Sequence, residues 1–483
     1  MAEISNLNYT TSEHMEILSC LQLGIEHALL NTKGKKDILM RDFNSIESTS
    51  FPKEGSGKTP SHNSNSFTFK SYASETFHHL RKQFGINQNE FIDSICQMPL
   101  KALHNPGASG SLLFITEDDN YILKTVSDKE ARFLQQLLPG YWMNLHQNSK
   151  TLIPKFFGLF GYQTVIRSMR FVIMNNVLPT NIKYQLKYDL KGSSYHRKAP
   201  ETEVAQGAMP PTQKDIDFQD KFPKGIIMTE DKRDLLMDVL KRDCDVLESF
   251  DIMDYSLLVG VHNVTQVLKE AENVAQVSCT IKKPRSILRS RMSINMNSCY
   301  DCPTIKNSIE LATHLATVPP GGFPAKLPDG DFVILFIGVI DILQNFRAKK
   351  RIEHAVKSIV INKETISVQK PSFYAKRFLR FMKEEVIVEE VKKSKKGVTF
   401  GVVRRRSLVE VNSFDEETTI PEDYPDRPGS AEGERKMGML KRQSVIQNET
   451  ILNESEQEVK AVAMDRARKT LKISRQTALD VSI

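Results

Sequence analysis

The chain lacks any apolar run long enough to cross a bilayer. Its longest, such as FVILFIGVI at 332–340, falls well short of the roughly 20 residues a spanning helix needs. The first residues, MAEISNLNYT, lack a basic start followed by an apolar run, so no signal peptide is expected. Cysteine is scarce: six in 483 residues do not suggest a disulfide framework. There is no internal repeat, and the net charge of +7 is modest, so where the charge sits matters more than its total. An intracellular soluble protein is the expectation. What is present, 40% hydrophobic and 26% charged residues, suffices for one large two-lobed domain or two or three ordinary ones, with disordered tails.

Residues 1–64 read as an N-terminal extension, partly ordered, with LQLGIEHALL (21–30) as a short helix candidate. A folded α/β region follows. LLFIT (112–116), YILKTV (121–126) and MRFVIMNNV (169–177) have strand composition. ETFHHLRKQFG (75–85), KEARFLQQLL (129–138) and KRDLLMDVLKRDCDVLESF (232–250) read as helices. The last has apolar residues at 235, 236, 239, 240, 247 and 250, near helical period. Residues 264–325 are polar, carry the basic run KKPRSILRSR, and end in PPGGFPAKLPDG, which is turn chemistry. They read as a disordered insertion. DFVILFIGVID (331–341) is a buried strand closed by Asp341. Residues 384–483 are charged and poor in aromatics, a disordered tail.

Three short motifs invite functions that their context does not support. EGSGKT (54–59) resembles a phosphate loop, but the first glycine of that pattern would fall on Pro52, and no strand pattern precedes it. CYDC (299–302) has the spacing of half a zinc site without a second pair, so two reduced thiols are the simpler reading. RRRSL and KRQSV place Ser407 and Ser444 after basic residues. They suit basophilic kinases, and equally a solvated charge run.

The chemistry concentrates elsewhere. In NPGASGSLLFITEDDNYILKTV (105–126), Gly107 and Gly110 flank small residues that let backbone N–H groups approach phosphates, and Lys124 stands inside an apolar strand. A hairpin turn with an ordinary edge lysine is the alternative. In YDLKGS, Asp189 and Lys191 put opposed charges beside a flexible turn. In FDIMDYSLLVGVHN, Asp254 precedes a strand, where it marks either a reaction site or a turn acid facing water. Asp341 ends a buried strand, a poor place for stability but a good one for Mg²⁺ beside phosphates. A glycine loop, a strand lysine, a mid-domain acid and an acid after a later strand follow the order of a kinase, although H-R-D and D-F-G are missing.

From about Leu21 to Lys383 the sequence resembles the phosphatidylinositol phosphate kinases, and within them the type I members. The likeness rests on SFPKEG with a following TPSH, PGASGSL, ILKTV, LLPGYWMNLHQN, LIPKFFGLFGYQ, MNNVLP, KYDLKGSSY, IMDYSLLVGVHN, FIGVIDIL and KPSFYAKRF. It implies an α/β (α+β), two-lobed lipid-kinase fold over 65–383, with an antiparallel sheet and helices in the N-lobe and a smaller α/β C-lobe. It also implies ATP and Mg²⁺ as cofactors, and transfer of the γ-phosphoryl group to the 5-hydroxyl of phosphatidylinositol 4-phosphate. By the same resemblance Gly107, Ser109, Gly110 and Ser111 cover the phosphates and Lys124 is the ATP lysine. Asp254, with Asp189 and Lys191, forms the catalytic site, and Asp341 is the Mg²⁺ ligand. Glu130 is the partner left for Lys124, because Arg132 occupies the second acidic position of the family's KEAEFL-like stretch.

In NFRAKKRIEHAVKSIVI (345–361), apolar residues at 352, 355, 356, 359 and 360 form one helical stripe bordered by basic residues. That pattern fits a core-packed surface helix and a membrane-contacting one alike. Resemblance to the family's specificity loop favours the membrane, with Lys349, Lys350 and Arg351 facing lipid and Glu353 setting substrate preference. The family further implies a peripheral protein at the cytoplasmic face of the plasma membrane, a homodimer and small GTPases as partners; nucleic acid is not expected. The alternatives are a weakly active, anionic-lipid-binding scaffold of the same fold, motivated by Arg132, or a kinase acting on the 5-phosphate isomer.

Overall fold

Apolar residues on alternating positions of short segments build two antiparallel-rich sheets, each with helices against it. The computed structural model describes residues 11–103, 111–200, 210–273, 318–343 and 371–390.

The first sheet is assembled from α1 (Thr11–Asn31), α2 (Met40–Phe43), β1 (Ile46–Phe51), β2 (Phe67–Tyr72), α3 (Ser74–Gln83), α4 (Gln88–Ile92), β3 (Leu100–Leu103), β4 (Leu113–Thr116), β5 (Tyr121–Val126), α5 (Asp128–Gln147), β6 (Phe156–Gln163) and β7 (Ser168–Asn175). Its order is β1-β2-β6-β7-β5-β4-β3, antiparallel throughout. The extension read over 1–64 is thus part of the lobe, because β1 pairs with β2 from Ile46↔Tyr72 to Phe51↔Phe67. Helix α1 lies close on the sheet at Gly24, where a Cβ would sit 2.3 Å from the Phe69 ring. EGSGKT follows a strand after all, but that strand is one arm of the β1–β2 hairpin, and no helix follows as a phosphate loop requires.

Helix α5 runs past the expected end at 138, through Pro139. Burial of Leu134, Leu137, Leu138, Tyr141 and Leu145 outweighs the hydrogen bond that proline cannot make. At its start Ser127 and Glu130 form a reciprocal capping box, with the Ser127 N–H 2.7 Å from Glu130 Oε2 and the Glu130 N–H 3.2 Å from Ser127 Oγ.

The second sheet draws on β8 (Leu186–Leu190), β9 (Thr212–Gln213), α6 (Asp215–Lys221), β10 (Ile226–Met228), α7 (Glu230–Ser249), β11 (Ser256–Asn263), α8 (Val264–Asn273), β12 (Phe323–Lys326), β13 (Phe332–Ile340), α9 (Pro371–Phe381) and β14 (Ile387–Glu389). Its order is β14-β10-β12-β13-β11-β8-β9, with parallel pairs only at its two edges. Two boundaries differ from the sequence reading. The insertion expected over 264–325 contains α8, capped by Asn263 and seated through Val264, and also β12, which forms a tight hairpin with β13. Order also continues past 383, because Val386 and Ile387 are buried and β14 pairs with β10.

Between the sheets, Asp243 of α7 accepts hydrogen bonds from the Thr151 hydroxyl and the Leu152 N–H, both at 2.7 Å. The Val339 N–H of β13 donates to the Leu152 carbonyl. Buried Lys155 donates to the Thr151 carbonyl, and burial pushes its ammonium down to about 8, with Asp243 pulling the other way. The segment before β6 is thereby tied to the second sheet.

Candidate active site

Register brings the chemistry to one end of the second sheet. Ser256↔Ile340 is the last pair of β11 with β13, so Asp254, two residues before β11, and Asp341, one residue after β13, emerge at the same end. Leu190 pairs with Leu257, which puts Lys191 and Gly192 there too. Each of these turns takes a left-handed backbone: φ is +67° at Asp254, +63° at Asp341 and +65° at Gly192. Aspartate tolerates this region better than most residues, and such strain gathers where side chains must be aimed.

Two ion pairs fill the space. Lys191 Nζ lies 3.0 Å from Asp254 Oδ1 with both side chains mostly covered. Lys124, on β5 of the first sheet between Leu113 and Val172, reaches across to Asp341, Nζ to Oδ1 3.5 Å. The cleft between the sheets therefore carries two cations and two carboxylates in reach of one another by pairs. That is a composition suited to binding a polyanion and a divalent cation together.

Beneath the Lys191 turn is a support that the sequence did not reveal. The Asp215 side chain is 1% exposed and sits at the start of α6. It accepts the N–H groups of Lys191, Gly192 and Ser193 at 2.9, 2.6 and 3.3 Å. Arg197 bridges it to Asp189, at 2.7 Å to Asp215 Oδ2 and 2.6 Å to Asp189 Oδ1, and also donates to the Asp189 carbonyl. Burial alone would weaken the Arg197 proton, but Asp215 and Asp189 reverse that and hold the guanidinium above its ordinary value. Asp189, a candidate from sequence, is thus an anchor for Arg197 on β8.

Helix α9 locks both turns from behind. The Tyr374 hydroxyl donates to the Tyr255 carbonyl, and Tyr255 packs edge-on against Tyr374 and Phe378. Arg377 lies over the Tyr374 ring and reaches the Lys191 carbonyl at 3.5 Å. A Cβ on Gly192 would come within 3.0 Å of Phe381 Cβ and 3.3 Å of Phe378 Cα, and its φ of +65° would strain any other residue, so both space and backbone favour glycine at this turn. Three regions distant in sequence (186–197, 251–256 and 371–381) pack into one floor.

Not every candidate joins it. Glu130 is held in the capping box with Ser127. Arg132 lies at the surface, its Nε 3.2 Å from the Asp128 carbonyl and its guanidinium 4.0 Å from the Asp128 carboxylate. Ser111 is half-buried just before β4. Gly107, Ser109, Gly110, Lys349, Lys350, Arg351 and Glu353 lie outside the described residues, as do CYDC, Ser407 and Ser444. Tyr374, Arg377, Asp215 and Arg197 escaped the sequence reading. KPSFYAKRF alone marked α9, and nothing in the spacing tied it to the DLKGS turn.

Comparison with known proteins agrees with this architecture. The family model described as Phosphatidylinositol-4-phosphate 5-Kinase matches residues 94–385. The chain is 44% identical over 376 residues to mouse phosphatidylinositol 4-phosphate 5-kinase type-1 alpha, covering 77% of this chain and 67% of the relative. It is 44% identical over 383 residues to the human type-1 beta protein, covering 78% and 69%. With the Drosophila melanogaster type-1 sktl protein it shares 41% over 435 residues, 80% of this chain but only 54% of the relative, so it spans about half of that protein's length. On the strength of the shared model and these identities, the chain belongs to the phosphatidylinositol-4-phosphate 5-kinase family.

Proposed function

We propose that the chain is an ATP-dependent lipid kinase that phosphorylates the 5-hydroxyl of phosphatidylinositol 4-phosphate, making the 4,5-bisphosphate at a membrane surface. The observation that carries the reading is the paired arrangement Lys124–Asp341 and Lys191–Asp254 across one cleft. The names of the relatives supply the substrate.

Asp341 offers one hard oxygen donor, partly open to solvent and next to a cation. That fits Mg²⁺, which usually takes one or two protein carboxylates and completes its shell with water and phosphate oxygens. Bound there with ATP, the ion would neutralise phosphate charge. Lys124 then exchanges Asp341 for the α- and β-phosphates, as a strand lysine does in kinases. Asp254 orients the inositol hydroxyl and takes its proton as the new bond to phosphorus forms and the bond from the γ-phosphorus to the bridging oxygen breaks, releasing ADP. Lys191, already at 3.0 Å from Asp254, stands where negative charge gathers on the transferring group. Asp215, Arg197 and α9 hold that lysine in place, so catalysis comes mainly from positioning and charge. Segment 345–361 contributes membrane contact and substrate choice on this reading, through its basic residues and Glu353, and the product would form at the cytoplasmic face of the plasma membrane. The test is transfer from γ-labelled ATP to liposomes carrying each monophosphate isomer, with the position of the new phosphate identified. Label on the 3- or 5-phosphate isomer alone would overturn the substrate assignment.

A further inference from the structure

Asp118 and Asp119 stand side by side in the turn between β4 and β5 and serve different partners. Asp118 builds the turn itself. Its carboxylate accepts the Thr116 hydroxyl at 2.6 Å, the Asn120 N–H at 3.1 Å and the Asn120 side-chain amide at 2.8 Å. Asp119 is buried, takes the left-handed backbone at φ +65°, and reaches the chain that leaves β7. Its Oδ1 accepts Asn176 Nδ2 at 3.1 Å and the Thr180 hydroxyl at 2.8 Å, and its Oδ2 accepts the Thr180 N–H at 2.5 Å. The Asn176 N–H donates to the Asn120 carbonyl at 2.9 Å, and Asn176 Oδ1 accepts the Leu178 N–H at 3.1 Å. One covered carboxylate thus takes donors from both ends of residues 176–180. Such a contact fixes the segment, because donors left without it would stay unpaired away from water.

Residues 176–180 are where the chain passes from the first sheet to the second, between β7 and β8. Val177 lies against β13: a Cβ on Gly338 would stand 2.7 Å from Val177 Cγ2. The next residue of β13, Val339, donates its N–H to the Leu152 carbonyl. The strand that ends in Asp341 is therefore seated on the first sheet's connections at Gly338 and Val339. The strand that carries Lys124 begins just after Asp119. A closed circuit results. It runs from Asp119 along β5 to Lys124, across the 3.5 Å ion pair to Asp341, back along β13 to Gly338, over to Val177, and through Asn176 and Thr180 to Asp119 again.

From this circuit we infer that Asp119 is a positioning residue for the nucleotide end of the cleft: by holding residues 176–180 to the start of β5, it sets where Lys124 stands relative to Asp341. The inference rests on the kinase reading for its catalytic meaning, since that reading gives these two side chains the ATP phosphates and the metal. The ion pair cannot set the spacing by itself. Its side chains are 24% and 38% exposed, and partly solvated pairs of this kind hold little. Covered contacts must do so. Asp243 supplies one through Thr151 and Leu152, and Asp119 supplies the one on the strand of Lys124 itself. Side chains that bind a reacting group depend on such support, since a displacement of about 1 Å can cost about a hundredfold in rate.

Two measurements on the full chain test this. The first needs no nucleotide: acetic anhydride labels lysines, and mass spectrometry reads the rate at Lys124 against exposed Lys269. In Asp119→Asn the relative rate at Lys124 should rise by about threefold, the scale on which a partly solvated ion pair protects an amine. Asp118→Asn, which loosens the turn but not the link to residues 176–180, should leave it unchanged. The second is affinity for MgATP, followed by calorimetry. Asp119→Asn should weaken it by about tenfold, but by less than about twofold when Lys124→Met is already present, because a residue acting through Lys124 has nothing left to position. The Michaelis constant for ATP should rise in step while that for lipid stays. Thr180→Val removes one bond to the same carboxylate and should reproduce both changes at smaller size, which covers the case that Asp119→Asn fails to fold. An unchanged labelling rate, an equal effect of Asp118→Asn, or a full tenfold loss in the Lys124→Met background overturns the assignment. If wild type binds no MgATP while the labelling change holds, the kinase reading fails and the positioning of Lys124 by Asp119 stands.

Discussion

Replacing Arg197 with methionine tests whether the cleft depends on its buried support. The Arg197 side chain is 11% exposed and its guanidinium serves two carboxylates at 2.6 and 2.7 Å. Asp189 is open enough for water to replace the lost bond, so its share of the cost is small. Asp215 is not, and it would keep three backbone N–H donors but lose its only cation among the described residues. Removing one member of a buried pair costs about 3–5 kcal/mol, because the remaining charge is stranded. Denaturant unfolding of Arg197→Met should show a loss of that size. At temperatures where the variant stays folded, kcat should fall by about a hundredfold, since Asp215 positions the Lys191 turn and small displacements there are costly. The Asp215→Asn partner variant removes the stranded charge. The double variant should therefore be more stable than the sum of the two single losses predicts, by about 2 kcal/mol. Strict additivity, or normal turnover in Arg197→Met, would refute the reasoning.

Other consequences follow from the same geometry. Lys191→Met should lower kcat by at least about a hundredfold in the lipid assay with little change in unfolding midpoint, because the pair with Asp254 is partly solvated while its catalytic place is not replaceable. Gly140→Ala should destabilise by about 1–3 kcal/mol despite alanine's better helix propensity. Its Cβ would stand 2.6 Å from the Phe250 ring, and urea midpoints decide the sign. Lys155 titrates at about 8 when folded and near 10.4 when unfolded, so between those values the unfolded chain binds more protons. Stability of the wild type relative to Lys155→Met should rise from pH 8 to 9.5 by about 1–2 kcal/mol, and be flat below pH 7. A difference that falls over that range would contradict the buried ammonium.

Much of the fold could be read from local pattern. YILKTV coincides with β5 and FVILFIGVI with β13, because runs of branched apolar residues bounded by turns leave little choice. What escaped was decided by tertiary contact. VTQVLKEAEN became α8 because Val264 is buried and Asn263 caps it, which polarity alone disguised. FPAK lies among prolines and glycines that read as turns, yet it pairs along β13. Of the site, the acids Asp254 and Asp341 stood out by position, but their left-handed backbone and the Lys124–Asp341 contact depend on how two sheets meet. Arg197 and Asp215 were invisible as a pair, since nothing in composition separates a buried arginine from a solvated one. Glu130 looked like a partner for Lys124, and the capping box claimed it first.

The most direct test compares wild type with Asp341→Asn in transfer from γ-labelled ATP to phosphatidylinositol 4-phosphate liposomes at saturating Mg²⁺. Thermal unfolding of both proteins is followed alongside. The account predicts labelled phosphatidylinositol 4,5-bisphosphate from wild type and none above background from the variant, with both proteins folded, because a neutral amide cannot replace the carboxylate beside Lys124. Comparable label from the two proteins, or none from folded wild type, would contradict it.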